Sequence, residues 1–162
     1  MADITNEPQL MLILSSIVED VIDEVSNKIL ARLQWNIMKY TYMFDYFPNK
    51  IYFDNTGNPT FEFLHAWVRD DIRKAGKSLT RQIFYDYSNM KFDPKKYLHG
   101  SPSRGDEREK LAEILNVSGK PGEWEAKERA PYWKITIEEL FGGGLITQMF
   151  DDAFRKRGII RI

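Results

Sequence analysis

The chain has 162 residues, 43% hydrophobic and 29% charged, with 23 basic against 24 acidic side chains and no cysteine. That length fits one domain with a real core. The near-zero charge argues against a general nucleic-acid binder, and the missing cysteines exclude disulfide frameworks, Cys-based zinc sites and thiol chemistry. The apolar run Leu10 to Leu14 gives way to Ser15, Ser16, Glu19 and Asp20, far short of the ~20 residues of a bilayer helix. The residues ahead of it carry Asp3 and Glu7 and no Lys or Arg, the wrong sign for a secretory leader. The expectation is a protein kept in the cytoplasm or assembled there into something larger.

The first element is a long helix. Asn6 with Gln9 resembles a capping box, and Pro8 is tolerated in a first turn. Leu10, Leu14, Ile17, Val18, Val21, Val25, Ile29, Leu33 and Ile37 recur at spacings of three and four, which is one helix face. Acidic residues gather in the first half and Lys28, Arg32 and Lys39 in the second, which suits the helix dipole. Glu24 and Lys28 form a favourable i,i+4 pair. A helix over about 7–39 would run roughly 50 Å, whereas a compact chain of this size is only about 40 Å across. Part of the apolar face then overhangs and needs a cover, most simply another copy or a partner. A break near Ser15-Ser16 or Asn36 would instead give two ordinary helices.

An aromatic turn region and a β-hairpin follow over about 44–87. Pro48-Asn49, Asn55-Thr56-Gly57 and Asn58-Pro59 are turn signals. The aromatics from Tyr40 to Phe63 suit a core wall where the helix turns back, or an interface. Phe61 to Ala66 fits a short helix or a strand. Trp67 to Ile72 and Leu79 to Tyr87 read as strands joined by Arg73 to Ser78, with Gly76 in the turn. In the second strand Leu79, Arg81, Ile83 and Tyr85 share one side.

Loops and helices occupy 93–157. Asp93 to Gly105 and Asn116 to Pro131 are loops by composition, and Asp106 to Asn116 reads as a helix. Pro131 to Leu140 reads as a short helix, and Gly142-Gly143-Gly144 as a break. Leu145 to Arg157 reads as a helix stopped by Gly158 at the C′ position. Residues 159–162 look like a terminal strand. The whole predicts a single α+β domain, a long N-terminal helix packed on a small, mostly antiparallel sheet, with shorter helices after it.

No residue cluster has the spacing of a catalytic site. His65 and His99 lie far apart, and neither stands in a zinc-ligand pattern. His65, beside Leu64 and Trp67, reads as a packed or capping histidine. Asp70 and Asp71 are neighbours on a strand and point to opposite faces, so they do not share one ion. The three glycines at 142–144 lack the Lys-Ser/Thr of a phosphate loop, and no Gly-x-Ser-x-Gly occurs. Arg155-Lys156-Arg157 with Arg161 forms a basic cluster. It reads as a complement to the helix dipole, or as a contact for an acidic partner or passing DNA.

The order of these parts resembles the tailed-phage neck and tail-completion proteins, the head–tail joining family of lambda-like phages. A long helix precedes Tyr52-Phe-Asp-Asn-Thr-Gly57. Trp67 then opens a hairpin that ends in Phe84-Tyr85. Phe92-Asp-Pro and Leu98-His-Gly100 follow, and Arg129-Ala-Pro-Tyr-Trp133 leads to helices closing with Phe154-Arg-Lys-Arg-Gly158-Ile159. The commoner form of that family lacks the Asn58-Pro59 and extra aromatics found here.

The resemblance implies a ring-forming virion subunit between capsid portal and tail, with no cofactor and no turnover. Its partners would be copies of itself and neighbouring head-completion and tail proteins. No membrane and no sequence-specific nucleic acid is implied, only passive contact with passing DNA. The expected subunit contacts are Leu14, Val18, Val21 and Val25 on the helix stripe, with Lys95, Arg104, Lys120 and Trp124 in the charged loops. A small non-catalytic adaptor or inhibitor binding one partner is the alternative. A metal-dependent nuclease assembled from Asp70, Asp86 and distant carboxylates ranks third.

Overall fold

A computed structural model describes residues 7–42, 61–76, 78–91, 108–109, 112 and 131–159. Its spine is helix α1, Glu7–Ile37, 31 residues that run unbroken through Ser15 and Ser16. At ~1.5 Å per residue this is about 46 Å of helix. The alternative of a break near Asn36 does not hold either, for the helix passes it and continues into a single π-helical turn, Met38–Tyr42.

A short helix, α2 (Glu62–His65), leads into a hairpin. Its base pairs β1 (Trp67–Arg69) with β4 (Ile83–Tyr85), and its tip pairs β2 (Arg73–Ala75) with β3 (Ser78–Thr80). The register changes between the two. Trp67 faces Tyr85 and Arg69 faces Ile83, but Arg73 faces Thr80. Residues 70–72 therefore oppose only 81–82, which is a bulge of one residue. Ala75 pairs with Ser78, so the pairing runs up to Gly76. Arg73 to Ser78, expected as loop, is mostly strand.

Asp70 holds the bulge together. Its N–H donates to the Gln82 carbonyl at 3.1 Å, its Oδ1 accepts from Gln82 N at 2.6 Å, and its carboxylate pairs with Arg73 at 2.7 Å. Arg81 donates to the Asp70 carbonyl at 2.6 Å.

The C-terminal part is a broken helix. Helix α3, Tyr132–Ile137, passes into a π-helical turn, Glu138–Gly142, and helix α4 covers Leu145–Lys156. Gly144 stands at φ 68, in the left-handed region that costs any residue with a Cβ about 1–2 kcal/mol. The break therefore falls there. Gly158, at φ 77, follows the end of α4 as expected. Residues 160–162 of the expected terminal strand lie outside the described residues, and Ile159 is not in a strand. The expected helix over 106–116 is described only at Arg108, Glu109 and Ala112, which are helical.

Two apolar clusters form along α1. Toward its C-terminal end Leu33 and Ile37 bury Phe63, Ala66, Trp67, Met90 and Tyr132. This is where the aromatics meet: Tyr132 stands edge-on to Phe63 at 6.0 Å and to Trp67 at 6.3 Å. Burial raises the Tyr132 phenol above its ordinary range, and its O–H donates to the Ala112 carbonyl at 2.9 Å. In the middle of α1 a thinner cluster joins Val21, Val25 and Ala153, with Ile17, Ile29, Met149, Phe150 and Phe154 around it. The broken helix therefore runs antiparallel along α1 and the hairpin lies along another side. That is the expected α+β packing of a long helix on a small antiparallel sheet.

Candidate functional site

Polar side chains along α1 mostly serve to fasten the other elements. Toward its C-terminal end, Arg32 grips Glu139 with two hydrogen bonds at 2.8 and 2.7 Å. Asn36, fully buried, donates to Glu139 at 2.7 Å and to Thr136 Oγ1 at 3.0 Å. The Thr136 hydroxyl donates back to the Tyr132 carbonyl at 2.7 Å. The Arg32 guanidinium, aided by Asn36, holds the Glu139 carboxyl below its usual range. One turn of α3 is thereby locked to one turn of α1.

Two further carboxylates of α1 work alike. Asp23 pairs with Arg69 at 2.6 Å and with Arg81, so it ties strand β1 and the residue facing the bulge to the helix. Those two guanidinium groups, Arg69 first, depress its pKa. Nearer the N terminus Glu19 pairs with Lys74 of the hairpin tip at 2.5 Å. On the other side Glu24 receives Lys156 at 2.8 Å, Lys28 at 2.9 Å and Arg157 at 2.9 Å. These three cations, Lys156 first, hold its carboxyl far below the ordinary range. Arg157 also donates to the Asp20 and Ala153 carbonyls. The basic cluster at 155–157 thus largely clamps α4 onto α1.

None of these groups converges on a cavity with reactive partners. Among the described residues no three His, Cys, Asp or Glu side chains are placed to hold a metal ion. A shallow cleft lies along α4, lined by Phe150, Asp151, Phe154, Arg155 and Ile159. It holds one carboxylate and one guanidinium on an apolar floor and no nucleophile–base pair. Asp86 caps the 3₁₀ turn Tyr87–Asn89 by accepting from the Ser88 N–H and hydroxyl, so it has a structural task apart from Asp70. His65 is exposed, not packed. His99 lies outside the described residues.

The expected subunit contacts divide. Val21 and Val25 are not available to a neighbour, because Ala153 and the aromatic side chains of α4 bury them to 0 and 1% exposure. The chain itself covers that part of the stripe. Val18 is half-buried and Leu14 is exposed. Lys95, Arg104, Lys120 and Trp124 lie outside the described residues, as do the Tyr52 to Gly57 turn and the loops at 92–100.

Among the described residues, apart from the single exposed Trp35 and Phe84, exposed large apolar side chains gather in two places. At the start of α1, Leu10, Met11, Leu12, Ile13 and Leu14 are all exposed, with Leu12 at 72%. A second surface went unnoticed in the sequence. Trp133, Ile137 and Phe141 follow one another at a spacing of four along the outer side of α3 and its π-helical turn, all exposed, with Phe141 at 63%. The Trp133 ring stacks on Trp67 at 5.4 Å and 19°, which fixes one end of this ridge. The spacing was readable in the segment expected as a short helix, but a spacing of four suits a buried face as well as an exposed one.

No helix among the described residues is long and apolar enough to cross a membrane. Comparison with protein families, with curated proteins and with solved structures gave no match.

Proposed function

We propose that this chain is a structural subunit of a tailed-phage virion at the head–tail junction, a neck or tail-completion protein that forms or joins a ring between capsid portal and tail. The observation that carries this reading is the bare apolar start of α1. Five consecutive large apolar residues on a projecting helix end are costly to leave in water, at roughly 25 cal/mol per Å² of apolar surface. A partner that covers them recovers that free energy, and surfaces of this kind mark interaction sites. The order of helix, hairpin and closing helices supports the family resemblance.

In this reading the subunit performs no turnover and takes no cofactor. It is assembled in the host cytoplasm, works in the virion and touches other copies and the adjoining head and tail proteins. DNA passes without being read. Light scattering on the purified protein at high concentration, followed by negative-stain imaging, tests it. Rings of defined copy number are expected. A strict monomer that captures one host protein in a one-to-one complex would overturn it in favour of an adaptor or inhibitor.

A further inference from the structure

We propose that α4 is a hinged cover over the middle of α1, turning about Gly143-Gly144 and latched at its far end by Lys156 and Arg157 on Glu24. It opens as a unit while the rest of the fold stays in place. Opening extends the exposed apolar face of α1 from Leu14 through Val21 to Val25. This device is separate from the ring-subunit reading and does not depend on it.

The hinge lies between two segments that are fastened independently. Before it, Arg32 and Asn36 hold Glu139, and Asn36 also holds Thr136. The Gly143 N–H closes the π-helical turn on the Glu138 carbonyl at 3.0 Å. After it, the Gln148 N–H donates to the Gly144 carbonyl at 3.1 Å and opens α4. Gly143 and Gly144 themselves belong to neither helix. A rotation about the peptide that joins them breaks neither of these bonds, and a residue without Cβ accepts the new dihedrals. Residues at the ends of elements are where hinge motions are absorbed.

The cover is thin. Among the described residues α4 packs mainly on α1 and on the turn just before it. The buried part of that contact is Val21, Val25 and Ala153, rimmed by half-buried Met149, Phe150 and Phe154. The other cluster on α1 buries the large rings of Phe63, Trp67 and Tyr132 and draws on the hairpin, α2 and α3. Stabilisation by burial scales with apolar area, so the α4 contact opens at the lower free energy.

The latch faces water. Lys156 and Arg157 reach Glu24 at 2.8 and 2.9 Å, and Lys156 is largely exposed. Ion pairs in that setting are weak singly and re-form readily. They stand twelve to thirteen residues beyond Gly144, about 18 Å along α4. A hinge at one end and a solvent-facing latch at the other make the helix swing rather than melt.

The absence of native cysteine makes the test direct. Ala153→Cys and Ala66→Cys place single thiols in the α4 contact and in the aromatic cluster, where both alanines are buried. Each variant is checked by circular dichroism and urea unfolding, then labelled with a maleimide in native buffer and at low urea. The Ala153→Cys thiol should label about tenfold or more faster than global unfolding allows, with little dependence on urea, as local opening requires. The Ala66→Cys thiol should label only at the global unfolding rate. Glu24→Gln should raise the Ala153→Cys rate several-fold relative to that of Ala66→Cys.

Equal labelling of the two thiols, each following global unfolding, would overturn the hinged cover. An unchanged ratio in Glu24→Gln would remove the latch. Native-state hydrogen exchange on the unsubstituted chain gives an independent check should a cysteine disturb packing. Amides 149–154 should exchange through one shared opening, well before amides 33–37 and 132–137. A steady gradient toward residue 156 would mean fraying from the end, and joint opening with 132–137 would misplace the hinge; either result overturns the proposal.

Discussion

Both ends of α1 carry large apolar residues, and they are buried to opposite extents. Around Leu33 and Ile37 the helix is enclosed by α2, the hairpin base and α3, and an aromatic cluster fills the space. Around Leu10 to Leu14 the same kind of side chain stands in solvent. What separates them is reach. Among the described residues the hairpin pairs with α1 as far as Glu19, and the α4 cluster takes in Ile17. About 15 Å of helix extends beyond those points. An apolar pattern specifies a helix face, and the length of the other elements decides how much of it becomes core.

The contrast breaks most visibly in the aromatic cluster. Tyr132→Ala should destabilise the chain by about 3–5 kcal/mol, read from urea unfolding, because it empties the space between Phe63 and Trp67. Next comes the polar lock. Asn36→Ala should cost about 1–3 kcal/mol in the same assay, since it removes the donor to Thr136 and one of the Glu139 bonds inside the protein.

The bend between the two C-terminal helices gives a paired test. A Cβ at Gly143 would stand 2.9 Å from the Glu139 carbonyl oxygen, and one at Gly142 would meet nothing within 4 Å. Gly143→Ala should lower stability by about 1–3 kcal/mol, and Gly142→Ala should stay within about 0.5 kcal/mol of the parent.

Acid should loosen the fastened region. The carboxyls of Glu24, Asp23 and Glu139 are held below their ordinary values by bound cations. Each therefore favours the folded chain above its unfolded pKa of about 4, and that contribution is lost as pH falls through the lower folded value. Tm should be nearly flat from about pH 7 to 5 and fall below it. Glu24→Gln should flatten part of the fall. An unchanged acid profile in that variant would show that the Lys156 and Arg157 clamp contributes little.

The smallest effect on folding is expected at the bare end. Leu12→Gln should leave unfolding within about 0.5 kcal/mol of the parent while abolishing any self-association seen by light scattering. A large loss of stability there would mean that the tip is part of the core after all.

The sequence made some of this legible. Spacings of three and four from Leu10 to Ile37 sufficed for α1, and Gly158 marked the end of α4. The alternation of Leu79, Arg81, Ile83 and Tyr85 matched the inward side of the hairpin. Other parts were hidden for physical reasons. The bulge at 70–72 has no residue signature, and the charged Arg73-Lys74 tip has no apolar alternation to betray a strand. Val21 and Val25 advertised a covered face but not the cover, which comes from Ala153 far along the chain. The purpose of Lys156 and Arg157 became plain only beside Glu24. The candidate interface was half legible. Leu14, an expected contact, is exposed, whereas the exposed Trp133, Ile137 and Phe141 were not singled out, because their spacing of four equally suits a buried face.

The α1–α4 clamp also sets an order of events at birth. Lys156 and Glu24 are 132 residues apart in sequence. At synthesis rates of about 5–20 residues per second, the middle of α1 waits roughly 7–26 s for the helix that will cover it. Throughout that interval Val21 and Val25 lack the cover that Ala153 gives them, so the nascent chain exposes more of the apolar face of α1 than the finished protein. Premature contact between neighbouring nascent chains would then draw on the middle of α1, and completion of α4 is the step that removes that part of the helix from solvent.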